Sequence, residues 1–127
     1  MNGDETFLDT NTCIYFLNGD PVLANFLQDR QIYISIITEI ELFAFHGNTP
    51  SAIEILNDFI DSVTVLDINK EIKAFTIELR KTYKLKIPDA IIAASALAFS
   101  LPIITADKGF KKIAGLDLVL YEIKSEQ

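Results

Sequence analysis

The sequence predicts an α/β protein, a parallel sheet with helices on both faces, in one domain of 127 residues. Three observations predict it. Short apolar runs alternate along the chain with longer helical patterns. The first run, Thr6-Phe7-Leu8, is apolar enough to be a strand buried on both faces. The stretch from Lys86 to Ser100 reads as one helix with no charge between Ile91 and Phe99, so the helix is buried all round.

The elements follow in order. The first strand ends at Asp9, and Thr10-Asn11-Thr12 are residues that favour turns and helix starts. Cys13 to Leu17 is apolar and stops at the turn signal Asn18-Gly19. A second short helix runs from Pro21 to about Asp29, with Val22, Phe26 and Leu23 facing inward. Ile32 to Ile37 is rich in β-branched and aromatic residues and reads as a strand. Thr38-Glu39-Ile40-Glu41 opens the next helix, which ends near His46-Gly47-Asn48. Another helix starts at Thr49-Pro50-Ser51 and carries Ile53, Leu56, Phe59 and Ile60. Ser62 to Leu66 is a strand, Lys70 to Lys84 a helix, and Pro102 to Thr105 a strand. Asp107 to Phe110 opens a short helical turn, Leu116 to Ile123 is a last edge strand, and Ser125 to Gln127 is a frayed end.

Composition narrows the classes. Half of the residues are hydrophobic, and a chain of this size buries roughly two thirds of its surface. No disulfide or metal staple is needed. Cys13 is the one cysteine, a core residue, which excludes a disulfide framework and a Cys-type zinc site and points to a reducing compartment. The start, Met1 to Glu5, is polar and acidic, unlike a signal peptide, and the run from Ile87 to Leu101 is too short and Ala-rich to span a bilayer. The expectation is a soluble, cytoplasmic protein. The net charge of −7 argues against nucleic acid when taken alone. Its distribution argues otherwise. Residues 1–69 hold eleven acids and one base, Arg30, whereas residues 70–127 hold seven acids and ten bases.

In parallel α/β sheets ligands bind outside the carboxyl ends of the strands. Asp9 follows the first strand, Asp107 follows the strand at Pro102–Thr105, Glu41 lies one helical turn past Ile37, and Asp89 sits at a helix start. Each acid alone also reads as helix capping: Thr38-x-x-Glu41 is a capping box, Asp9 and Asp107 are N-cap residues, and Asp89 is a first-turn acid. Together they are harder to dismiss. Two carboxylates about 6 Å apart at an effective dielectric near 20 repel by roughly 3 kcal/mol. A divalent cation relieves such a cluster, and all-oxygen ligands select Mg²⁺ or Mn²⁺ over zinc. The chemistry implied is phosphodiester hydrolysis by a metal-activated water.

These residues also carry a family resemblance. Phe7-Leu8-Asp9-Thr10-Asn11 resembles the opening motif of PIN-domain nucleases, most closely of VapC-type toxins. Ser35-x-x-Thr38-x-x-Glu41-Leu42 resembles their second motif, Ile87-Pro88-Asp89-Ala90-Ile91-Ile92-Ala93-Ala94 the third, and Ile104-Thr105-Ala106-Asp107-Lys108-Gly109-Phe110 the fourth. The resemblance runs from Phe7 to about Ile113 in order and spacing. It implies a PIN-like three-layer α/β/α fold on about five parallel strands. It also implies a Mg²⁺- or Mn²⁺-dependent endoribonuclease with Asp9, Glu41, Asp89 and Asp107 as its catalytic, metal-holding acids. The partners it implies are RNA, a second copy in a homodimer, and a cognate antitoxin that blocks the site. Within the motifs, Asp9 and Asp89 are assigned direct metal contact. Asp107 and Glu41 either complete the metal's surroundings through water or orient the attacking water. Asn11 and the hydroxyls of Thr10 and Thr105 would hold Asp9 and Asp107 in place, with plain turn and cap chemistry as the alternative. The sequence departs from the family pattern twice: Ala106 stands where Asn is common, and Gly109 where many relatives carry a further Asp.

At about 100° per residue, Ile72, Phe75, Thr76, Leu79 and Tyr83 form the buried stripe of the helix beginning at Lys70. Lys70, Lys73, Arg80, Lys81 and Lys84 fall together on one flank, leading through Lys86 to Asp89, and Lys108, Lys111 and Lys112 follow Asp107. The reading is a basic face in which Lys81, Lys84, Lys86 and Lys108 hold RNA phosphates; the plainer alternative is a solvated face. His46 is expected to cap helix carbonyls rather than act in catalysis. Phe43 and Phe45 lie on opposite faces of one helix, so one of them reaches toward a dimer or antitoxin surface. Two other function classes compete. One is a catalytically weak PIN domain serving as a binding module. The other is a receiver domain, which lacks support because one acid, not a pair, follows the first strand and no matching Lys accompanies Asp67.

Overall fold

The sheet is built outward from its first strand. The structure, a computed structural model, describes residues 4–122. Strands β1 (Glu5–Leu8), β2 (Gln31–Ser35), β3 (Thr64–Leu66), β4 (Ile103–Thr105) and β5 (Leu118–Leu120) lie in the order β3-β2-β1-β4-β5, and every neighbouring pair is parallel. After β1 the chain moves outward to β2 and β3, then crosses back to place β4 on the other side of β1. The strand order therefore reverses between β1 and β4, where Leu8 is in register with Ile104.

Alternation along the central strands divides the core in two. Phe7 and Ile103 face the side covered by α5 (Lys70–Thr82) and α6 (Ile87–Ala98), where they meet Ile72, Leu79, Ile92 and the alanines of α6. Leu8, Ile34 and Ile104 face the other side. There they pack with Cys13 of α1 (Thr10–Leu17), Leu23 and Leu27 of α2 (Pro21–Leu27), Leu42 of α3 (Ile36–Ala44), and Leu56 and Phe59 of α4 (Pro50–Ser62). This is the predicted α/β/α layering on five parallel strands. Each such fully buried large side chain contributes about 1.5–3 kcal/mol. Ala93 and Ala94 are wholly buried, so larger residues there would cost about 1–3 kcal/mol by overpacking.

Several expectations need correction. Strand β2 stops at Ser35, and Ile36 and Ile37 begin α3, because the Ser35 side chain accepts the Ile37 N–H and caps the helix. Thr38 is therefore the third residue of α3, not its cap, and the Thr38–Glu41 capping box does not form. In α2, which ends at Leu27, the inward residues are Leu23 and Leu27, while Val22 and Phe26 are exposed. Phe75 is exposed on α5, which ends at Thr82. Burial of α6 on all sides holds from Ala90 to Ala96, and Phe99 is exposed beyond its end. His46 is exposed; Asn48 Nδ2 instead donates to Leu42 O at 2.9 Å and closes α3. Phe45 lies past the end of α3 and is 66% exposed, while Phe43 packs into the core. The last strand is shorter than predicted, and Ile123 and Ser125–Gln127 lie outside the described residues.

Candidate active site

Asp9 is the residue that leaves β1 and caps α1. It is only 6% exposed. Its Oδ1 accepts the Thr12 N–H at 2.9 Å and its Oδ2 accepts the Thr105 hydroxyl. Thr105 is the last residue of β4, wholly buried, and its Oγ1 also accepts the Asp107 N–H at 3.0 Å. One hydroxyl thus ties the ends of the two strands flanking the reversal point. Asp107 caps a 3-10 helix over Lys108–Lys112, and its Oδ1 accepts the Gly109 N–H at 2.8 Å. A Cβ at position 109 would stand 3.0 Å from that oxygen, so the glycine lets the carboxylate settle on the backbone.

Glu41 is on the second turn of α3 and exposed. Its Oε1 accepts the Thr10 hydroxyl at 2.6 Å, across from the first turn of α1. Asp89 is in the first turn of α6, favoured there by the helix dipole. Among the described residues its carboxylate takes no hydrogen bond. Its carboxyl is pushed above the usual Asp range, first by partial burial, then by the charges of Asp107, Asp9 and Glu41; Lys86 pulls the other way. Four acids from four elements thus share one edge. Beneath them, burial and the Asp9 charge push the Cys13 thiol far up, so it stays a protonated core residue.

The other residues named from the sequence sort as follows. Thr105 supports Asp9 and Asp107, whereas Thr10 supports Glu41 rather than either of them. Asn11 is exposed and holds neither carboxylate; the Thr12 N–H does that for Asp9. A cleft of about 260 Å³ is lined by Asp89 and Asp107 together with Lys84, Lys86 and Lys112. Lys81 is exposed and pairs with Glu78 at 3.7 Å, and neither it nor Lys108 lines this cleft. Lys112 was one base among several in the sequence; only its 3-10 helix, folding back until Nζ reaches Lys84 O at 3.4 Å, singles it out.

Among the described residues, no group of three or more His, Cys, Asp or Glu side chains stands close enough to grip a metal ion directly. The donor set still fits one class of ion. Carboxylates that repel across an open edge suit a hard cation that keeps much of its water and uses one or two direct carboxylates, as Mg²⁺ does.

A model of the PIN-domain family matches residues 6–116. The chain belongs to the PIN-domain family. Its likeness within that family is to VapC-type nucleases, as the solved structures bear out. It is similar to a chain of VapBC2 from Rickettsia felis bound to a DNA fragment from the promoter: 25% identity, 93% of this chain and 99% of that one covered, TM-score 0.82. It is similar to a chain of a toxin–antitoxin complex from Klebsiella pneumoniae: 30% identity, 93% and 99% covered, TM-score 0.80. A chain of VapBC-1 from nontypeable Haemophilus influenzae matches at 26% identity, 91% and 97% covered, TM-score 0.77. No curated protein matches the chain. As a PIN domain of this kind the chain is a nuclease and hence a hydrolase.

Proposed function

We propose that this PIN domain is a Mg²⁺- or Mn²⁺-dependent endoribonuclease and the toxin of a toxin–antitoxin pair. The observation that carries the reading is the shared edge itself. Carboxylates from the ends of β1 and β4, from α3 and from α6 lie closely enough that, after partial burial, the charges of the other three add to the upward push on Asp89. Such crowding destabilises a protein unless a cation joins it. A bound divalent cation would activate water and neutralise charge on the scissile phosphate. Asp9 and Asp89 would hold it directly, with Glu41 and Asp107 completing its surroundings or aligning the attacking water. Lys84, Lys86 and Lys112 would hold the RNA backbone beside the acids. Lys81 and Lys108 would make weaker contacts further along the strand.

The partner reading has its own support. An apolar groove lined by Ile14, Leu17, Leu42, Phe45, Ile55 and Leu56 begins at Thr10 and Glu41, so a protein segment filling it would cover Glu41. That is the expected antitoxin surface. No helix among the described residues is long and apolar enough to cross a membrane. A cytoplasmic homodimer is part of the proposal.

The test is cleavage of a mixed structured and single-stranded RNA pool with and without Mg²⁺ or Mn²⁺, comparing wild type with Asp89→Asn. Metal-dependent cleavage is expected in the wild type and a loss of at least about 100-fold in the variant, the upper end of what even an outer metal partner costs. Cleavage that survives in Asp89→Asn overturns the reading. RNA binding without cleavage in the wild type favours the binding module instead. Lys84→Glu should weaken RNA binding more than Lys81→Glu.

A further inference from the structure

Two inward-facing helix hydroxyls bond back along their own helices, and the buried Thr12 hydroxyl gives its proton to the Ile104 carbonyl of β4. Ser95 Oγ donates to Ile91 O at 2.8 Å and Thr76 Oγ1 to Ile72 O at 2.7 Å, each four residues back along its own helix. Thr38 is different. As the third residue of α3 it has no helical carbonyl four residues behind it. Its side chain is wholly buried, and its Oγ1 lies 2.9 Å from Thr10 Oγ1 of α1. Thr10 Oγ1 in turn lies 2.6 Å from Glu41 Oε1.

Proton counting fixes the direction of this chain of contacts. A hydroxyl has one proton, and a carboxylate only accepts. Thr10 therefore gives its proton to Glu41 and accepts from Thr38. We propose that Thr38 is a positioning residue for Glu41, acting through Thr10. Thr38 and Glu41 lie three residues apart, on one face of α3, so one short helix carries both ends of the relay. The buried donor fixes the Thr10 rotor so that its proton points at the carboxylate, and polarises that bond. Among the described residues Glu41 accepts no other hydrogen bond. A long exposed side chain with several free torsions is then held in the site by this one hydroxyl. The consequence for metal binding rests on the nuclease reading above; the relay does not.

Thr38→Val keeps the shape of the residue and removes the hydroxyl, while Thr38→Ser keeps the hydroxyl and removes the methyl. In metal-free protein, the side-chain order of Glu41 measured by carbon relaxation should fall in Thr38→Val and hold in Thr38→Ser. Mn²⁺ affinity should fall about tenfold or more in Thr38→Val and return in Thr38→Ser. Melting of both variants separates packing from positioning, because the serine variant loses packing while keeping Glu41 ordered. Should Thr38→Val fail to fold, the wild type still decides: its Thr38 hydroxyl proton must exchange slowly with water, and fast exchange overturns the proposal. Glu41 order unchanged in Thr38→Val, or lost equally in both variants, also overturns it. Ordered Glu41 that loosens in Thr38→Val, in a protein that cleaves no RNA, supports the relay and removes the nuclease reading alone.

Discussion

Asp9 and Asp107 are held by the main chain, and Glu41 and Asp89 are not. The first pair sits where strands β1 and β4 end, each carboxylate accepting a backbone N–H, and the Thr105 hydroxyl links the Asp9 carboxylate, to which it donates, to the Asp107 backbone N–H, from which it accepts. The second pair projects from helices: Glu41 rests on a side-chain hydroxyl, and Asp89 rests on no hydrogen bond among the described residues. The difference separates two ways of keeping like charges together. Hydrogen-bond donors aimed at a carboxylate compensate its charge in the folded chain alone, so that half of the site is also part of the fold. Asp89 has no such compensation beyond the helix dipole and Lys86, so its charge strains the metal-free protein.

The largest effect on stability should come from breaking the held half. Thr105→Val removes a buried hydroxyl that both donates to Asp9 and accepts from Asp107, leaving two polar groups short of a partner. The expected cost is about 1–3 kcal/mol in denaturant unfolding. RNA cleavage should fall roughly 10–100-fold as the two acids lose their mutual alignment. A variant as stable as wild type would mean that water replaces the hydroxyl and that the two strand ends are not tied through it.

The unheld half should respond in the opposite direction. Asp89→Asn removes a charge that burial and three neighbouring carboxylates disfavour. It should raise the melting temperature of the metal-free protein while abolishing cleavage. The pH dependence carries the same sign. A folded carboxyl whose pKa is raised above its unfolded value binds more protons than the unfolded chain within that window. Stability of the metal-free protein should therefore fall as pH rises from the ordinary Asp range through the raised value of Asp89. That slope should vanish in Asp89→Asn and flatten when Mg²⁺ is saturating. Urea midpoints taken across pH with and without Mg²⁺ would show it; a slope identical in wild type and Asp89→Asn would place the titrating group elsewhere.

The same division explains what the sequence disclosed. Asp9 and Asp107 were legible because their position follows from local facts: an apolar strand, then an acid that caps whatever helix comes next. The all-apolar face of α6 fixed Asp89 in the same way. Glu41 is expected one helical turn past a strand ending at Ile37, but β2 ends at Ser35, so Glu41 lies further along α3 than that spacing implies, and the competing capping-box reading fails as well because Ser35 and not Thr38 caps α3. The β-branched pair Ile36-Ile37 reads as strand by propensity, and a single serine capping bond outweighs it in the fold. The inward face of α2 was misphased because a seven-residue helix offers Val22/Phe26 and Leu23/Leu27 as equally spaced pairs. Only the sheet packing distinguishes them. Thr38 and Lys112 gain their places through contacts with residues 28 positions away, Thr10 and Lys84, which no local pattern records.

The smallest effect tests whether stability and cleavage can be separated along one helix. Helix α6 carries Asp89 at one end and Ser100 just past the other. There Ser100 adopts a left-handed backbone, φ 53, while its N–H donates to Leu97 O and that of Leu101 to Ala96 O. Those two bonds are the closing pair for which glycine is the preferred residue. Ser100→Gly removes a steric penalty of about 1–2 kcal/mol, against about 0.5–1 kcal/mol for the greater freedom of unfolded glycine. The net expectation is a gain of roughly 0.5 kcal/mol in urea unfolding, with cleavage unchanged. A change in cleavage without a change in stability would mean that the end of α6 is coupled to Asp89 through the helix. In that case the fully buried stretch from Ala90 to Ala96 would act as a rigid rod between the two, and the site would depend on the far end of its helix as well as on its own hydrogen bonds.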